Sequence, residues 1–196
     1  MITAFLVAFF IFSAGGTWAA EIAGANPPVV IACIETGNAS QAVTLHAEAI
    51  AARIYEGIGV HIDWRRRARD CNASIEKTFH IEFITRLPDR KYPGALASTP
   101  LGSTPPRIDV YYDRIEQMTE PRVMPILLGH VLAHEIAHLL EGLNRHSEQG
   151  IMKAHWDPAD YEEMSVRPLS FAPEDVALIQ NRLGVNAMML AQRPKR

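Results

Sequence analysis

The chain has 196 residues and only two cysteines, Cys33 and Cys71. That is too few for a scaffold built on disulfides, and their spacing matches no metal-binding motif. It also lacks an excess of positive charge. Nineteen Lys and Arg stand against 22 Asp and Glu, for a formal net charge of -3, so no broad basic field draws the protein to nucleic acid or an anionic membrane. Arg65, Arg66, Arg67 and Arg69 form a local run, read as a solvated strand end. No internal repeat or low-complexity segment is present, which excludes solenoid and array architectures. Beyond residue 20 nothing resembles a transmembrane segment.

Charge is absent altogether from residues 1–20. Residues 4–12 are an apolar run, and small or polar residues 13–17 lead to Trp18, Ala19 and Ala20. This order predicts a secretory signal peptide over 1–20, cut near Ala19 or Ala20. An uncleaved anchor is the alternative, because the segment carries no Lys or Arg and is just long enough to span a bilayer. Membrane association is expected only in that case; otherwise the protein is secreted or periplasmic. In such a compartment an even cysteine count favours a Cys33–Cys71 disulfide, with two buried thiols as the alternative. One domain over 27–184 suits the length, followed by a basic tail over 185–196.

Within that domain residues 29–34 are continuously apolar and rich in β-branched side chains, which reads as a buried strand. Val43, Ala47, Ile50 and Ile54 recur at helical spacing over 39–56, and Val60, Ile62 and Trp64 then alternate with polar residues as a second strand. Strand, helix, strand implies a parallel pair with a crossover helix. Phe79, Ile81 and Phe83 mark a third strand, and Ile108, Val110 and Tyr112 a fourth. Between them residues 86–106 carry five prolines and two glycines, read as an irregular excursion over the surface. From Pro125 a helix is expected with Leu128, Leu132, Ile136 and Leu139 or Leu140 on one face, ending at Gly142. Residues after Met152 read as irregular through Pro168, and Pro173 opens a last amphipathic helix ending before Gly184. The class is α+β or α/β: a small twisted mixed sheet with a crossover helix, an active-site helix and a C-terminal helix.

The chemistry lies in HEIAHLLEGLNRHSEQGIM, residues 134–152. On a helix, residues four apart stack one turn apart on the same side, so His134 and His138 can converge on one ion, with Glu135 angled beside them. Two neutral imidazoles then bind zinc while the carboxylate addresses water rather than the metal. Past the glycine, His146 stands where a third ligand can return. His130, one turn earlier, lacks the intervening glutamate and reads as a packing histidine bonded to a backbone carbonyl. His46, His61, His80 and His155 are scattered and read as surface or strand residues.

HEIAH, a glycine, a further histidine and then Gly150, Ile151 and Met152 resemble the metzincin branch of zinc metallopeptidases, closely over 125–152 and loosely in the order of elements. The resemblance implies a zincin-like fold in which Gly142 bends the chain, His146 completes a site for one catalytic Zn2+, and Met152 forms a turn beneath the metal. It also implies that 107–112 form the substrate rim. Tyr161 is a weaker candidate for the tyrosine that assists some metzincins. The spacing departs from the family, HExxHxxGxxH, by one extra residue before Gly142 and one before His146. Glu141 or Glu148 is therefore kept as an alternative oxygen ligand.

The implied activity is secreted, zinc-dependent endopeptidase action on peptides or proteins, with Glu135 as general base. The competing class is a catalytically silent zinc-containing protein that binds peptides or is purely structural. The little chain between the cleavage site and the first strand leaves no room for a long inhibitory propeptide.

Overall fold

Strand β1 (Val29–Glu35) is an inner strand of a five-stranded sheet in the computed structural model, which describes residues 27–66, 70–71, 78–84 and 93–185. The expected signal segment and all of the tail except Val185 lie outside the described residues. Helix α1 (Gln41–Glu56) carries the chain across to β2 (His61–Arg65), which pairs parallel with β1 from Val29 opposite His61 to Cys33 opposite Arg65. β3 (Thr78–Ile84) pairs with the other side of β1, and β5 (Arg107–Tyr111) with β3, both parallel. The order is β2-β1-β3-β5-β4. Phe79, Ile81 and Phe83 are buried on the core face while Glu82 is exposed on the other, the period-two pattern that makes β3 a half-covered strand. Cys33 and Cys71 form a disulfide.

Several expectations are corrected. The excursion contains β4 (Ala97–Ser98), which pairs antiparallel with β5 and forms one edge of the sheet, with β2 at the other. The rim expected over 107–112 is therefore covered by β4 at Asp109 and Val110, and β4 is the outer strand there. Tyr112 is not on the strand. It opens a short helix, α2 (Tyr112–Met118), because its ring stacks on Phe83 with centroids 5.5 Å apart and its hydroxyl accepts from the Ser40 amide at 3.3 Å. The stretch after Met152 holds α4 (Pro158–Val166), whose Asp157 caps the amides of Ala159 and Asp160 while Asp160 reaches back to the Asp157 amide. Asp, Pro, then Asp three residues after the cap was a readable start signal.

Helix α3 (Met124–Glu141) packs on α1 and is flanked by α5 (Pro173–Arg182). It buries nearly its whole circumference rather than one stripe. Contact with α1 is close because residue 129 is glycine: a Cβ there would stand 2.7 Å from the Cβ of Ile50 and 2.9 Å from the Ala47 carbonyl. The buried Tyr55 hydroxyl donates to the Ala133 carbonyl at 2.8 Å, tying α1 to α3 one residue before His134.

Candidate metal centre

Burial of α3 is what gives its polar residues meaning. His134 and Glu135 are each 9% exposed and His138 is 5% exposed, and polar side chains in such a place need partners. At the end of the helix Gly142 takes the left-handed conformation, φ 67°, and its amide donates to the His138 carbonyl at 2.9 Å. The chain reverses there. It returns through Leu143, whose carbonyl faces His138 Nδ1 at 3.0 Å, and through His146, whose ring centroid lies 5.3 Å from that of His134 and 5.1 Å from that of His138. The lengthened spacing thus still brings the third histidine to the first two. Each histidine offers a ring nitrogen within 4.8 Å of the others, and this is the group able to hold a metal ion among the described residues. Neither Glu141 nor Glu148 joins it.

A second turn orients His134. Gly150, φ 73°, approaches so closely that a Cβ would stand 2.4 Å from the Ser170 carbonyl oxygen, and Ile151 donates its amide to that carbonyl at 3.0 Å. The Ile151 carbonyl in turn accepts from His134 Nδ1 at 2.8 Å and from the Trp156 indole at 3.3 Å. Trp156 stands edge-on to His134, centroids 5.8 Å apart. Met152 is fully buried, and its carbonyl accepts from the Ser147 amide at 2.8 Å, joining this turn to the His146 loop.

A carbonyl oxygen only accepts, so the Nδ1 atoms of His134 and His138 carry the protons and both Nε2 atoms present lone pairs. These Nε2 atoms face each other at 3.1 Å. Burial depresses His134 to about 4, against a smaller opposing effect of the Ile151 bond. His138 is lowered by burial and then by His134, and His146 by burial and then by His155 and Arg145. Three neutral donors converging on one point, two with their tautomers set by carbonyls, are the donor set a divalent transition ion takes. The residues fit zinc.

Glu135 receives a hydrogen bond of 2.6 Å from the Thr99 hydroxyl to its Oε2. Burial raises its pKa, with the Thr99 bond and the nearby His138 opposing. Thr99 follows β4 directly, so the described part of the proline-rich excursion reaches the site. Sequence reading missed Thr99, and no local signal marks it. His130 is the packing residue expected: Nδ1 donates to the Ile126 carbonyl at 2.7 Å, and Nε2 accepts from the Leu169 amide at 3.1 Å. Tyr161 stands on α4, 41% exposed, with no hydrogen bond to the three histidines.

This is a metzincin-like fold. The solved structure of archaemetzincin from Methanopyrus kandleri is similar to it, with a TM-score of 0.55 at 13% identity over 82% of this chain and 98% of that one. No protein-family model matches the chain, and no curated protein matches it.

Proposed function

We propose that the protein is a zinc-dependent endopeptidase that works outside the cytoplasm. The observation that carries this is the pair of facing Nε2 lone pairs, 3.1 Å apart between His134 and His138 with His146 beside them. Two lone pairs so close repel each other unless a cation lies between them, and burial disfavours a proton as that cation. Ligands about 2.0–2.1 Å from one zinc leave about this spacing. Bound there by His134, His138 and His146, zinc supplies Lewis acidity, which acidifies water and polarises a peptide carbonyl.

Glu135 is the general base: it takes a proton from the attacking water and returns it to the leaving amine. The Thr99 hydroxyl holds Oε2 of that carboxylate, which leaves Oε1 for the proton and fixes the side chain's direction. The carbonyls of Ile151 and Leu143 keep the imidazoles of His134 and His138 turned inward. Strand β4, the free edge beside Thr99, offers an extended peptide a partner for main-chain hydrogen bonds. The Cys33–Cys71 disulfide supports an oxidising compartment, and with it removal of residues 1–20 as a signal peptide.

The test is hydrolysis of an unstructured protein such as casein by purified protein, with and without a zinc chelator, beside Glu135→Gln. Activity should vanish with chelator and return with zinc. Glu135→Gln should bind zinc normally while losing about 10²–10⁴ in rate. Zinc bound tightly with no hydrolysis by the wild type would favour the silent, peptide-binding class instead. Activity that survives chelation would end the proposal.

A further inference from the structure

Asp175 is a buried carboxylate that takes no part in the site as described. It sits at the third position of α5 and is fully buried. Its Oδ2 accepts from the Ala172 amide at 3.2 Å, which anchors it at the start of its own helix. Its Oδ1 reaches away from α5, accepting from the Ser147 hydroxyl at 2.6 Å and from the Arg145 guanidinium. Arg145 and Ser147 are the two residues flanking His146. One carboxylate therefore grips the chain on both sides of the third histidine.

The grip has further support. Arg145 Nη1 donates to Ser147 Oγ at 3.3 Å across His146, and Arg145 Nε lies 3.4 Å from Glu141 Oε2 at the end of α3. The Ser147 amide is held by the Met152 carbonyl. His146 itself is exposed and, unlike His134 and His138, has no carbonyl on its free ring nitrogen among the described residues. Its placement rests on the backbone around it. The extra residue before Gly142 lies in α3, while the one after it lengthens the loop that delivers His146, and a longer loop loses more freedom on closing.

We propose that Asp175 is the positioning residue for the third metal ligand. By holding Arg145 and Ser147 together it fixes the loop so that the His146 ring faces His134 and His138. The inference rests on the zinc-site reading above, since it concerns how that site is closed.

The test is zinc affinity, measured by competition with a chromophoric chelator, together with the visible spectrum of the cobalt-substituted protein. Asp175→Ala should weaken zinc about 10–100-fold and give a cobalt spectrum matching that of His146→Ala. Asp175→Asn keeps an oxygen for Ser147 and should recover part of the loss. In a His146→Ala background, Asp175→Ala should cost no further affinity, because the ligand it serves is gone. Ser147→Ala removes one bond without disturbing charge, serves if Asp175→Ala does not fold, and should weaken zinc several-fold only when His146 is present.

An unchanged affinity in Asp175→Ala, or an equal loss with and without His146, overturns the inference; if only Ser147→Ala folds, the same two results for it do so. Wild-type protein that binds no zinc would instead overturn the proposed function, so the two failures are distinguishable.

Discussion

Glu141 shows how far a single side chain can depart from solution behaviour. Its side chain is fully buried, neither oxygen accepts a hydrogen bond from the described residues, and its pKa is raised to about 7 by burial and then by the charge of Asp175, against Arg145. A carboxyl raised in the folded state contributes stability that is complete below its unfolded pKa, near 4.5, and is lost as pH climbs through about 7. Glu141→Gln should therefore gain on the wild type across that window, by about 2 kcal/mol after allowance for solvent screening. Denaturant unfolding of both proteins in chelator, from pH 4.5 to 8, checks this. A constant difference with pH would refute it. None of this was legible from sequence, where Glu141 reads as one more polar residue near a helix end and a spare zinc ligand. Its neighbours Arg145 and Asp175 lie 4 and 34 positions away, and only folding puts them together.

At the scale of elements, α3 carries the site because two other elements let it be buried. At Gly129 α1 lies so close that a methyl would overlap Ile50 and the Ala47 carbonyl. Alanine has the better helix propensity by about 1 kcal/mol, but overpacking against backbone costs about 1–3 kcal/mol. Gly129→Ala should lower the melting temperature by several degrees and weaken zinc binding, since α1 also holds Ala133 through Tyr55. Calorimetry of metal-free and zinc-loaded protein measures both. An unchanged or raised melting temperature would mean that the helices separate at little cost. Helices α1, α3 and α5 were readable because each is long and patterned. β4 and α2 were not: two residues and seven leave no period to detect, and β4 exists only because β5 presents an edge for it to pair with. Helix α4 was readable in principle from its cap.

For the whole molecule, the Cys33–Cys71 bridge joins residues 38 apart, closing a loop that runs from within β1 through α1 and β2. Restricting a loop of that length in the unfolded chain stabilises the fold by about 4 kcal/mol in the chain-entropy estimate. The Cys33→Ser, Cys71→Ser double variant should unfold at markedly lower denaturant, with zinc affinity little changed because neither cysteine joins the histidine cluster. Loss of zinc binding under conditions where the variant remains folded would contradict that. By itself the sequence determined the class of fold, the parallel β1–β2 unit, the helix that bears HEIAH and the glycine that ends it, because these follow from periodicity, spacing and φ preference within a few turns of chain. Tertiary structure alone decided the rest: that His146 reaches the pair despite its longer tether, that Thr99 meets Glu135 from 36 residues away, and that β4 is laid outside β5 at Asp109 and Val110. Those outcomes depend on packing between distant segments, whose energies no local pattern records.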